Sequence, residues 1–133
     1  MAAELALIWD PSFGVGDAVI DAQHRHIVEL INALYQAAGG EGCSTADVVV
    51  DHIGRFLQHH FETEEAFLRN RAYADLERHV AEHHALLSRI NRAADQVRAG
   101  EQTDERFAGT VWSSLHEHTV TWDREYAKVL SNR

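Results

Sequence analysis

Apolar residues recur at helical spacing along four stretches of the chain, and no stretch of useful length alternates as a strand would. The first stripe runs Ile20, His24, Ile27, Ile31, Leu34 and Ala38, and the second Val50, Ile53, Leu57, His60, Glu64 and Leu68. A third holds Leu76, His79, His83, Leu86 or Leu87, Ile90, Ala94 and Val97; a fourth holds Phe107, Val111, Leu115, His118, Trp122, Tyr126 and Val129. Breakers separate them. The Gly-Gly-Glu-Gly run at 39–42 ends the first helix, because glycine tolerates the left-handed conformation of a C-cap. Ser44 or Thr45 suits the start of the second helix, and Thr103 or Asp104 that of the fourth. The expected helices are about 18–38, 45–69, 74–99 and 104–130, behind an irregular N-terminal arm at 1–16. Four helices of about 20 residues, each roughly 30 Å long and joined by short loops, predict one all-α domain over 1–133, an up-down-up-down antiparallel four-helix bundle.

Near the middle of each stripe the aliphatic pattern fails. His24 interrupts the first, His60 and Glu64 the second, His79 and His83 the third, and His118 the fourth. Residues four apart share a helix face, so His60 with Glu64, and His79 with His83, make inward-pointing pairs. Asp123, five residues after His118, falls somewhat off its stripe but within reach of the interior. Each buried polar group without a partner costs about 1 to 3 kcal/mol, and a bound metal removes that cost. One histidine on an apolar stripe is ordinarily a hydrogen-bonded core residue; five histidines and two carboxylates on four helices at one height form a site. His26, His52, His59, His84 and His116 fall off the stripes and read as surface or supporting residues. Glu62 and Glu65 read as a solvated face or a local ion pair, with Glu65 bordering the core. Asp21 and Gln23 are candidates to support the ligands from the first helix.

Mixed imidazole and carboxylate donors suit iron, manganese or zinc, and the lack of thiolate argues against copper(I) and iron–sulfur clusters. Seven side chains exceed the four ligands of one zinc ion, so two metals are implied, with Glu64 and Asp123 as natural bridges. With one bridging oxo or hydroxo group, this set fills all but one position of two octahedral ions. A small molecule can take the open position.

Composition narrows the classes further. The formal charge of −9 and the scattering of the 12 Lys and Arg among acids exclude a phosphate-binding surface, so no nucleic-acid partner is expected. Cys43 is the only cysteine, which leaves no disulfide within the chain and no thiol-based metal knuckle. The N-terminus lacks a basic leader pattern, and no window has the roughly 18 to 20 apolar residues of a membrane span; a cytoplasmic monomer without membrane contact is expected. His-Val-Ala-Glu-His at 79–83 is not the HExxH of zinc proteases, and no GxSxG, Walker or GxGxxG pattern occurs.

Taken in order, Ile-Asp-Ala-Gln-His at 20–24, His-Phe-Glu-Thr-Glu-Glu at 60–65, His-Val-Ala-Glu-His at 79–83 and His-Glu-His-Thr-Val-Thr-Trp-Asp-Arg-Glu-Tyr at 116–126 resemble the motifs of the hemerythrin family. The arm Trp-Asp-Pro-Ser-Phe-Gly-Val-Gly at 9–16 is similar to that of its bacterial members. The resemblance implies two iron ions with a bridging oxo or hydroxo group, one held by His79, His83 and His118, the other by His24 and His60, with Glu64 and Asp123 shared. It also implies reversible binding of O2 at the two-histidine iron, for carriage, storage or sensing, and no enzymatic turnover. Leu115 and Phe61 are then expected in the oxygen pocket. Ser114 and Thr119 stand where the family carries Trp and Ile, so they are expected to make that pocket more polar. Tyr73-Ala74 replaces the family's Tyr-Pro in the second connection. Two alternatives compete: a diiron oxidase or peroxidase, and a module sensing iron, NO or redox state. Ferritin-like oxidases use Glu-x-x-His pairs, and no histidine here has a glutamate three residues before it.

Overall fold

Asp17 starts the first helix by accepting a hydrogen bond from the Ile20 amide at 3.0 Å, and Asp21 ties down the preceding turn through the amides of Val15 (2.7 Å) and Gly16 (3.3 Å). Asp21 is thereby spent on the backbone rather than on a ligand histidine. The structure, a computed structural model, describes residues 14–38 and 43–131. Most of the N-terminal arm and the glycine-rich connection at 39–42 lie outside those residues.

The elements are α1 (Ala18–Ala38), α2 (Cys43–Asn70), α3 (Leu76–Arg98), α4 (Asp104–His118), a π-helical turn (Thr119–Asp123) and α5 (Arg124–Ser131). Helix α2 begins at Cys43, which places Ser44 and Thr45 inside the helix rather than ahead of it. Thr103 caps α4, its hydroxyl accepting from the Arg106 amide at 3.2 Å. α1 packs on α2 and α4, and α3 packs on the same two, so the four rods form a square bundle with α1 and α3 on a diagonal. Among the described residues there is no strand.

Both ends of the α2–α3–α4 path close in the same way. After α3, Gly100 takes φ +77° while its amide bonds to Val97 O and the Glu101 amide to Gln96 O, a Schellman motif. After α2 the equivalent bonds run from Ala72 to Arg69 O and from Tyr73 to Leu68 O, but the left-handed position, φ 52°, is held by an alanine.

The fourth helix departs from a plain 3.6-residue period. The π-turn inserts one extra residue, so positions five apart align across it. Trp122 and Val129, expected inward, are half-buried and exposed, whereas Asp123 and Tyr126 are fully buried. Leu130 packs inward in place of Val129.

The apolar interior has two parts. A large cluster, from Ile27, Ile31 and Leu34 through Leu57, Leu86 and Phe107 to Leu115, fills one end. A small one, Leu68, Tyr73 and Tyr126, closes the other. Between them lies a wholly polar layer of buried residues: His24, His60, Glu64, His79, His83, His118 and Asp123.

Candidate metal centre

Each side chain of this layer is delivered by the residue spacing of its own helix. His60 and Glu64 stand one turn apart on α2, as do His79 and His83 on α3. His118 ends α4, and the π-turn brings Asp123 onto the same face five residues later. All seven are at most 6 % exposed. The sequence-predicted ligands are therefore brought together at one level, including Asp123, which a straight α-helix would have turned aside.

The two carboxylates divide their oxygens between two groups of histidines. Glu64 Oε1 lies 2.8 Å from His79 Nε2, 2.9 Å from His83 Nε2 and 3.9 Å from His118 Nε2, while Oε2 lies 3.9 Å from His60 Nε2. Asp123 Oδ1 lies 3.0 Å from His118 Nε2 and 3.3 Å from His79 Nε2, while Oδ2 lies 3.4 Å from His24 Nε2. One set of donor atoms, from Glu64, His79, His83, His118 and Asp123, falls within 4.8 Å of one another, and a second set from His24, His60 and Glu64 does the same. Among the described residues, His118 Nε2 and both Asp123 oxygens have no well-formed hydrogen bond despite these short separations. His79 and His83 share one Glu64 oxygen, and His118 and Asp123 converge beside them without a hydrogen bond, which is how donors around a cation are arranged. Buried imidazole and carboxylate in this ratio fit two first-row metal ions.

A second layer of contacts turns the rings. His60 Nδ1 donates to Gln23 Oε1 at 2.8 Å, and Gln23 is braced by Thr63 at 3.4 Å. His83 Nδ1 donates to Glu65 Oε2 at 2.7 Å. Engaging Nδ1 leaves Nε2 aimed at the centre. The Tyr126 hydroxyl donates to Glu64 Oε2 at 3.0 Å, on the side of the two-histidine group. Phe61 stacks on His83 with ring centroids 4.1 Å apart. Gln23 was foreseen in this role. Glu65 and Tyr126 were not: Glu65 sits off the stripe where a solvated acid is ordinary, and Tyr126 reads as a core aromatic.

Electrostatics without metal follow from the same geometry. Burial opposes charge on His79, but the adjacent Asp123 and Glu64 carboxylates outweigh it and push the imidazole up to about 9. Burial likewise opposes charge on His118, and the Asp123 carboxylate pushes it up to about 10. For His24 burial is overridden in the same direction by Asp123. His60, with desolvation dominant, is pushed down to about 3. Burial alone would raise Glu64 and Asp123, yet the neighbouring imidazoles hold both below the usual carboxylate range. Protons on His79 and His118 balance the carboxylates that a metal pair would otherwise neutralise.

A cavity of about 30 Å³, room for one water-sized molecule, adjoins His24, His60 and Asp123. Leu115, Phe61 and Thr119 line it. Ser114 does not; one residue before Leu115, it is turned about a quarter of the way round α4 and lies in an outer groove with Gly109, Thr110 and Ser113. Trp112 and His116, their ring centroids 5.3 Å apart, line the cavity as well, although His116 had no such expected place.

A family model described as the hemerythrin HHE cation binding domain matches residues 15–130. A bacteriohemerythrin of Pseudomonas paraeruginosa is 28 % identical over 120 residues, covering 90 % of this chain and 78 % of the relative. That of Methylococcus capsulatus is 28 % identical over 120 residues, covering 90 % of this chain and 92 % of the relative. A crystal structure of wild-type hemerythrin superposes with a TM-score of 0.84 at 27 % identity, covering 94 % of this chain and 98 % of that one.

Proposed function

The chain belongs to the hemerythrin family, and from that membership together with the divided carboxylates we propose a non-haem diiron protein that binds O2 reversibly. His79, His83 and His118 would hold one iron and His24 and His60 the other, with Glu64 and Asp123 placed to serve both. An iron pair bound there would supply the reversible electron exchange that holding O2 requires.

The chain's own residues do the rest. Gln23 and Glu65 fix the rotation of His60 and His83, so the donors meet the ions already oriented. Tyr126 keeps Glu64 Oε2 in hydrogen-bond contact on the side of the two-histidine group. Ile27, Phe61 and Leu115 give the cavity apolar walls, and its volume of about 30 Å³ is on the scale of a diatomic molecule. A small chamber with mostly apolar exposed walls suits the binding of a diatomic molecule. Carriage, storage and sensing of O2 all use this same site. Among the described residues no helix is long and apolar enough to cross a membrane.

The single observation that carries the reading is the division of each carboxylate between the two histidine groups. Its test is to load the reduced protein with iron anaerobically, admit air, then remove it, recording iron content and the visible spectrum. Two irons per chain and a charge-transfer band that appears and disappears with O2 are expected. A transient band with consumption of a reductant over many turnovers would instead assign an oxidase.

A further inference from the structure

Five of the ten histidines take no part in the buried centre, and two of these face each other across the seam between α1 and α2. The rings of His26 and His52 stand nearly perpendicular, 84°, with centroids 6.2 Å apart. His26 is wedged by Phe56, whose ring centroid is 4.6 Å away. On its own helix, one turn on, Glu29 places a carboxylate oxygen 3.5 Å from His26 Nδ1. A carboxylate there favours the tautomer that keeps the proton on Nδ1 and leaves the Nε2 lone pair for a ligand bond, the arrangement found behind metal-bound histidines.

With a zinc–nitrogen bond of about 2.1 Å, two imidazoles sharing one ion have ring centres at most roughly 6.5 Å apart, and closer when the angle at the metal narrows. A tetrahedral angle at the metal sets them about 5.3 Å apart, so from the observed 6.2 Å the rings must close by roughly 1 Å. His52 is exposed, so a small rotation of its side chain brings the rings nearer without disturbing the core. The two helices that carry the pair pack against each other, which keeps the donors in register. The net charge of −9 raises the local concentration of cations.

We infer that His26 and His52, with Glu29 behind His26, form a third metal site at the surface, for one exchangeable divalent ion of the zinc and copper(II) class. Two nitrogen donors leave the remaining positions to water, so the ion exchanges freely, and copper(II) binds more tightly than zinc by the general order of affinities for nitrogen sites. The residues are disjoint from those of the buried centre, and the inference stands whether or not that centre carries O2.

The experiment is equilibrium dialysis of the iron-loaded protein against zinc at neutral pH, with both metals counted. One zinc per chain beyond the two irons is expected for the unaltered protein, none for His52→Ala, and about tenfold weaker zinc binding for Glu29→Gln. Iron content, visible spectrum and thermal midpoint stay constant in both surface variants. With copper(II) in place of zinc, electron paramagnetic resonance should show nitrogen couplings that vanish in His52→Ala. No zinc uptake at millimolar concentration, or uptake that His52→Ala leaves unchanged, overturns the site.

Discussion

At the residue scale, the cavity wall separates two neighbours that the sequence treats alike. Thr119 lines it and Ser114 does not, so only the hydroxyl of Thr119 can bring water toward bound O2. Thr119→Val, which removes the hydroxyl at nearly constant volume, is expected to slow autoxidation of the oxygenated protein severalfold, whereas Ser114→Trp leaves the rate unchanged. Following the loss of the charge-transfer band in air checks this; the reverse order of effects would remove Thr119 from the wall. The inward histidines and Glu64 were legible because an ionisable group on an apolar stripe has no cheap explanation. Glu65 and Gln23 were harder, since they sit where polar residues are ordinary. Tyr126 was legible as a core residue but not as a donor to Glu64, because a buried tyrosine looks the same from sequence in either role.

Elements carry the next level of constraint. Four helices and their bounds followed from the period of the stripes to within a few residues, except along the last. There Asp123 is five residues from His118, and only a π-turn reconciles that spacing with a shared face. No residue type in Thr119–Asp123 announces a π-turn, so the register of everything after it, including Leu130 in place of Val129, was hidden. The α2–α3 connection carries no glycine to mark its turn. Its Ala72 sits at φ 52° in a position that glycine fills after α3. A left-handed non-glycine residue costs roughly 1 to 2 kcal/mol, offset in part by the extra unfolded-state entropy that glycine brings. Ala72→Gly is therefore expected to raise unfolding stability by about 1 kcal/mol in denaturant titrations. A loss of stability would mean that the turn is not strained.

Across the whole molecule, a polar layer lies between two apolar clusters, and its charge balance depends on what fills it. Without metal, His79 and His118 are pushed up to about 9 and about 10, above the unfolded value of about 6.5. A raised histidine stabilises the fold fully below its unfolded pKa and loses that contribution as pH rises through the folded one. The metal-free protein should accordingly lose on the order of a few kcal/mol between about pH 6.5 and 10. Glu64 and Asp123, held low, act in the opposite sense: their contribution is present above about pH 4 and is lost in stronger acid. Iron takes the place of the imidazole protons, so the loaded protein should lack the alkaline loss and should release protons as it is loaded. Thermal midpoints from pH 6 to 10, with and without iron, check both statements. A metal-free midpoint that does not fall toward pH 10 would contradict the charge balance described here.

The most direct measurement is a crystal structure of the iron-loaded protein with the iron located by its anomalous scattering. Two iron peaks are expected, one among His79, His83 and His118 and the other beside His24 and His60, with Glu64 and Asp123 each touching both. A single peak, or peaks with either carboxylate bound to one ion only, would contradict the account.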